Sequence, residues 1–126
     1  MEIDWYPGSR SELRSLFELA EDSQSQLDQY IGLGRILIAR RGTRVIGHLQ
    51  LIPGPEAGDI EIKSLGVTPQ AQGAGVGRAL VEAAVERCAA ESWTRLVVST
   101  AAADTGNLRF YPVSYTHLTL PTIYSV

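Results

Sequence analysis

Ser64-Leu-Gly-Val-Thr-Pro-Gln-Ala-Gln-Gly-Ala-Gly-Val-Gly-Arg-Ala-Leu80 decides how this chain folds. It reads as the end of a buried strand, a short turn and the glycine-lined start of a long helix. The turn begins at Thr68-Pro69, because proline disfavours helix in the residue before it. Gly73, Gly75 and Gly77 then carry no side chain at the point where a helix has unpaired backbone N–H groups. An anionic group can approach such a helix start closely. The helix is predicted over Gly75 to Glu91, with Val76, Ala79, Leu80, Ala83, Ala84, Arg87 and Cys88 along one side and many alanines favouring it. Upstream, Asp59 to Val67 reads as a strand. Ile60 and Ile62, with Ser64 next in the alternation, fall on one face, and Glu61, Lys63 and Leu65 on the other. Downstream, Arg95 to Thr100 is a β-branched strand. The order strand–helix–strand predicts a crossover unit and a parallel pair.

The segments before this unit supply more strands and two helices. Glu2 to Tyr6 reads as a short strand. Ser9 with Glu12 three residues later is a capping signature for a helix whose apolar face is Leu13, Leu16, Phe17 and Ala20. Ser25 and Asp28 repeat it for a second helix, Ser25 to Ile31. Ile36 to Arg41 and Val45 to Ile52 form a hairpin around Gly42, and Pro53 to Gly58 is a loop. A short helix is expected at Gly106 to Tyr111. The pattern is α+β, with a mixed sheet of about five or six strands. Phe110 to Val126 stands apart, with no Asp, Glu, Lys or Arg and with prolines at 112 and 121. A short strand at Tyr115 to Leu120 is compatible with it. No hairpin that would close the sheet is evident there, which predicts an unpaired edge.

Composition narrows the function. The 126 residues suit one domain with one core, and 44% apolar content is enough to build it. A net charge of −3 with both signs interspersed gives no reason to expect non-specific binding to nucleic acid or membrane. Met1 to Tyr6 lacks the basic and apolar regions of a signal peptide, and no apolar run has the length of a membrane span. The lone Cys88 provides no intramolecular disulfide and reads as an inert core residue. A reducing, cytoplasmic setting is expected. One cysteine with His48 and His117 argues against a metal site.

Three phosphate-binding readings of the glycines compete. A nucleoside-triphosphate loop needs G-x-x-x-x-G-K-[ST], and no lysine follows a glycine here. A dinucleotide fingerprint needs G-x-G-x-x-G/A, but Gly73-Ala-Gly75-Val-Gly-Arg78 puts arginine in the last position, late in the chain. Gln72-Gly-Ala-Gly75-Val-Gly77 instead resembles the acyl-coenzyme A loop of the GNAT superfamily of N-acetyltransferases, Q/R-x-x-G-x-G/A. Its flanks agree. Glu61-Ile-Lys-Ser-Leu-Gly-Val-Thr-Pro69 is similar to that family's fourth strand and its exit. Gly106-Asn107-Leu-Arg-Phe110-Tyr111 is similar to the family helix carrying an asparagine and an aromatic pair. The resemblance runs in order from Ile3 to Tyr111.

The resemblance implies a mixed, mostly antiparallel sheet flanked by helices, with a central parallel pair that splays apart. The strands ending at Val67 and running through Val98 would be that pair. The pantetheine arm of acetyl-CoA would lie between them, paired with backbone groups of Leu65 and Val67, with the Val67 N–H polarising the thioester carbonyl. Backbone N–H groups of Gly73, Ala74, Gly75, Val76, Gly77 and Arg78 would receive the pyrophosphate, with Gln72 in the motif and Arg78 adding a charge-assisted contact. Asn107 would hydrogen-bond the arm or its loop. The implied reaction is direct acetyl transfer to a primary amine. That amine must shed a proton, since an alkyl ammonium has a pKa of about 10. Glu61 would be the base, with His48 a weaker candidate, and Tyr111 would protonate the leaving thiolate. Without catalysis, Glu61 simply faces solvent, Tyr111 packs and Asn107 caps a helix.

The acceptor would be a small-molecule or peptide amine met by the variable segments Ser23 to Gly34 and Pro53 to Gly58. No nucleic acid, membrane or metal enters, and a homodimer is left open. The resemblance stops at Tyr111. Relatives continue with Gly-Phe and two further strands, whereas here Pro112-Val-Ser-Tyr-Thr-His-Leu follows. The expected division is residues 1–111 as an acetyltransferase domain incomplete at its C-terminal side, and 112–126 as an atypical tail, a foreign ending such as a frame error or adaptor read-through produces. The alternative function is a catalytically inactive acyl-CoA-binding or structural domain that lacks those strands.

Overall fold

Period-two alternation of Ile, Leu and Val builds one mixed sheet, and the computed structural model describes it over residues 1–98 and 117–119. The strands are β1 (Glu2–Trp5), β2 (Arg35–Arg41), β3 (Arg44–Pro53), β4 (Asp59–Val67), β5 (Arg95–Val98) and β6 (His117–Thr119), side by side in chain order. All neighbours are antiparallel except β4 and β5, which run parallel in the register Asp59–Ile62 against Arg95–Val98. The parallel pair follows from the crossover through α3 (Val76–Ala90). The strand expected within Tyr115 to Leu120 exists as β6 and lies antiparallel on β5, and among the described residues β6 is the outermost strand on that side. The expected helix at Gly106 to Tyr111 and the splay beyond Val98 fall outside the described residues.

Two apolar clusters sandwich the sheet. On one face α3 packs through Val76, Leu80, Val81, Ala84, Val85 and Cys88 onto Leu37, Leu49, Leu51, Ile62 and Leu65. This corrects the sequence reading, which put Ala79 and Arg87 on that side in place of Val81 and Val85. Arg87 instead donates to the Ile3 carbonyl at 3.0 Å and lies over the Trp5 ring. On the other face α1 (Arg14–Glu18) and α2 (Gln24–Tyr30) bury Leu16, Phe17, Leu27 and Tyr30 against Ile36 and Ile38.

The helix caps differ from expectation. Ser9 precedes a 3-10 turn, Arg10–Leu13, and its hydroxyl meets Ser11 rather than a backbone N–H. Glu12 is occupied by the Tyr6 hydroxyl at 2.6 Å. For α2 the cap is Ser23, whose Oγ accepts from the Gln26 N–H at 3.2 Å, two residues before the predicted Ser25. Serines at 23 and 25 offer the same chemistry, and the turn geometry selects the first.

Candidate functional site

The register of β3 with β4 shifts once. Gln50 lies opposite Ser64 and Leu51 opposite Ile62, so Lys63 is an extra residue in β4. Such a bulge breaks the alternation of side chains. Ile60, Ile62, Leu65 and Val67 face α3. Glu61, Lys63 and Ser64 face α1 and α2, where the Lys63 ammonium sits 4.9 Å from the Tyr30 ring centroid and Ser64 meets His48. The sequence reading had Ser64 and Leu65 on opposite faces to those observed. An even alternation carried past residue 63 gives that error, because nothing local marks the insertion.

His48 explains how the bulge is held. Its Nε2 is 2.9 Å from the Ser64 hydroxyl, and its ring stacks on Phe17 at 4.2 Å between centroids. The ring is wholly buried, and burial pushes the imidazole down to about 3, so it stays neutral. Nδ1 has no hydrogen-bond partner among the described residues. A ring sealed in this way cannot take a proton from an amine arriving from solvent. The weaker base candidate is therefore a structural residue. Gly66 permits the close packing, since a Cβ there would come within 2.8 Å of both His48 Cε1 and the Leu16 carbonyl oxygen. On the same face the Gln50 amide donates to the Tyr30 and Leu33 carbonyls at 2.7 and 3.0 Å, tying the end of α2 to β3.

Glu61 lies on this face, half-buried, opposite Ile52 of β3 and Val97 of β5. Leu65 and Val67 are buried further along the strand. The glycine loop follows at once. Gln72 donates to the Val67 carbonyl at 3.1 Å and so pins the loop to the strand end. Gly73 and Gly75 have φ of +83° and +82°, a left-handed conformation that favours glycine. At neither position does any heavy atom of the described residues, chain neighbours aside, lie within 4 Å of where a Cβ would stand. Gly75 is the residue before α3 and provides no side-chain cap, and the first turn of the helix holds no acidic residue. Among the described residues no side chain caps the start of α3, and such a helix start suits an anion. Ala74 is exposed within the loop, and Val76 and Gly77 are buried as α3 begins. Arg78 stands one turn in, 3.3 Å from Glu82.

The structure thus brings Glu61, Leu65, Val67 and residues 72–78 onto one strand and the loop that continues it. Asn107 and Tyr111 lie outside the described residues. Sequence reasoning missed the bulge and with it the run of polar side chains at 61, 63 and 64. The Cys88 thiol is buried and pushed up to about 11, by burial first and by Glu91 second, which fits the inert reading. A separate cavity of about 570 Å³ lies between α1 and the β2–β3 hairpin, lined among others by Leu16, Leu19, Arg40 and Arg44, and includes neither Glu61 nor the glycine loop. Among the described residues no cluster of three or more His, Cys, Asp or Glu could hold a metal ion, and no helix is long and apolar enough to cross a membrane.

Known proteins share both pattern and fold. A family model described as the acetyltransferase (GNAT) family matches residues 4–113. No curated protein matches the chain. Among solved structures, an IAA acetyltransferase from Bacillus cereus is 29% identical, with a TM-score of 0.73 over 87% of this chain and 72% of its own. A GNAT acetyltransferase from Elizabethkingia anophelis, with acetyl-CoA bound, is 26% identical, with a TM-score of 0.74 over 87% of this chain and 71% of its own. An acetyltransferase from Bacillus subtilis in complex with CoA is 25% identical, with a TM-score of 0.69 over 77% and 63%.

Proposed function

Because the chain belongs to the acetyltransferase (GNAT) family, we propose that it transfers the acetyl group of acetyl-CoA directly to a primary amine. One observation carries the reading: the uncapped start of α3 behind two left-handed glycines with open space above them. In the proposal, the N–H groups from Gly73 to Arg78 take the pyrophosphate, and the arm of the coenzyme follows β4 past Val67 and Leu65. Complexes of similar proteins with CoA and acetyl-CoA support this cosubstrate.

The transfer forms a bond between the amine nitrogen and the thioester carbonyl carbon while the carbon–sulfur bond breaks. The electron pair leaves with sulfur, and the amine gives up a proton. Glu61 is the proposed acceptor of that proton. The β3 partners of Glu61, Leu65 and Val67, which are Ile52, Leu49 and Gly47, put Leu65 about 10 Å and Val67 about 17 Å along the strand from Glu61. In the proposal the Val67 N–H polarises the thioester carbonyl, and the proton reaches Glu61 through water. Tyr111 is the proposed donor to sulfur, on sequence resemblance alone.

Calorimetry with acetyl-CoA and an assay of coenzyme thiol release across a panel of amines test the proposal together. Uptake with turnover is expected, with Glu61→Gln lowering kcat/KM about 100-fold at unchanged acetyl-CoA affinity. Uptake without turnover on any amine would leave a coenzyme-binding domain. Absence of uptake by folded protein would remove the reading.

A further inference from the structure

Along β2, Ile36 and Ile38 alternate onto the face that packs on α1 and α2, and Arg40 is next in that alternation. Val45, opposite Arg40 on β3, packs on the same side. A guanidinium therefore stands at the rim of an apolar cluster. Arg40 is half-buried, and among the described residues it makes no ion pair and no side-chain hydrogen bond. The same holds for Arg44, which is exposed on the hairpin. Both line the cavity of about 570 Å³ between α1 and that hairpin, together with Leu13, Leu16 and Leu19. Leu19 is 46% exposed, an apolar surface left at the cavity's edge. Among the described residues of the lining, Glu12 is the one acid, and the Tyr6 hydroxyl donates to it at 2.6 Å. That hydrogen bond holds the Tyr6 phenol above its usual range, and Arg40 is near enough to oppose it. A partly desolvated cation without a counter-ion is costly, and an anion that reaches it recovers that cost.

We propose that this cavity binds a small carboxylate with a short aliphatic chain, its carboxylate at Arg40 and its chain on the three leucines. The volume lies within the roughly 300–1,000 Å³ of small-molecule sites. A planar guanidinium suits a carboxylate, which it can bind through two parallel hydrogen bonds. An inorganic anion satisfies Arg40 and leaves the leucines uncovered. A neutral aliphatic ligand does the reverse. Thr68 and Pro69 also line the cavity, so it reaches the turn before the glycine loop but not the loop itself. The site is separate from the proposed coenzyme cradle, and its test needs no turnover.

That test is NMR titration of the full chain with hexanoate, butanoate, hexanamide and inorganic phosphate, with and without saturating CoA. Hexanoate is expected to bind at least about 10-fold more tightly than hexanamide, the effect of one hydrogen bond to a charged group. It should bind about 10-fold more tightly than butanoate, the effect of two further buried methylenes. CoA should leave its affinity unchanged. Arg40→Gln should bring the acid-to-amide ratio close to one, and Arg40→Lys should keep part of the preference. Leu19→Ser, at an exposed position, should lower the hexanoate-to-butanoate ratio severalfold, and it decides the matter if Arg40→Gln fails to fold. No uptake of hexanoate, equal uptake of acid and amide, phosphate binding as tightly as hexanoate, competition by CoA, or an unchanged ratio in Leu19→Ser each overturns the proposal.

Discussion

Alanine at Gly75 separates a folding effect from a binding effect at one atom. The residue sits at φ +82°, where an L side chain is strained, at about 1–2 kcal/mol per residue. Chain neighbours aside, no heavy atom of the described residues lies within 4 Å of the added methyl, so they add no clash to that strain. The loss of unfolding entropy on replacing glycine offsets part of it. Stability should fall by about 1 kcal/mol in urea unfolding. In the proposed complex the same methyl would crowd the phosphate at the first N–H groups of α3. Losing one such contact to a phosphate, worth about 1.5–3 kcal/mol, weakens acetyl-CoA binding about 10- to 100-fold. Gly42 supplies the control, with φ +63°, equally open surroundings and a place in the β2–β3 hairpin. Gly42→Ala should cost similar stability and leave calorimetric binding unchanged. If both variants bind acetyl-CoA as the parent does, the cradle is a tight turn and nothing more.

His48 gives the stability a pH dependence. Its folded pKa is pushed below the unfolded value by burial, so the unfolded chain takes up the proton first. Its contribution is fully present above about pH 6.5 and is lost progressively as pH falls toward 3, about 2 kcal/mol by pH 5. Chemical unfolding of the parent and of His48→Leu at several pH values should show a shallower slope for the variant, and parallel curves would refute the assignment. Arg95 grips the Asp59 carboxylate at 2.9 and 2.7 Å where β4 meets β5, and that carboxylate is almost completely buried. Arg95→Leu should therefore lower Tm clearly more than Arg35→Leu, whose partner Glu91 is well exposed. Equal shifts in thermal melts would contradict that ranking.

What the sequence showed depends on how local the physics was. The bounds of β4, Asp59–Val67, follow from an alternating pattern that the Thr68-Pro69 turn ends, and both match. The glycine loop was legible because left-handed backbone favours glycine, and Gly73 and Gly75 adopt it. The faces of β4 beyond Lys63 were not legible. A bulge is decided by pairing with β3, and one inserted residue exchanges every later side chain between faces. The role of His48 was hidden for a related reason. A histidine in the middle of a strand gives no sign that Phe17, far back in the chain, will cover it. Asn107 and Tyr111 rest on resemblance alone, beyond the described residues.

The same bulge makes the site chemically unusual for a strand. Regular pleating allows polar groups toward one face only at every second residue. Here Glu61, Lys63 and Ser64 reach one face within four positions, while Ile62 and Leu65 remain in the α3 core. Two charges and a hydroxyl are thereby gathered on one face of a strand that still buries a continuous apolar side. Without the extra residue, Ser64 would turn its hydroxyl into that apolar side and Leu65 would leave it. The His48–Ser64 hydrogen bond opposes this slip, and it does so as a neutral pair because the ring is sealed under Phe17. A buried, neutral histidine thus holds the register in which Glu61, Lys63 and Ser64 share a face.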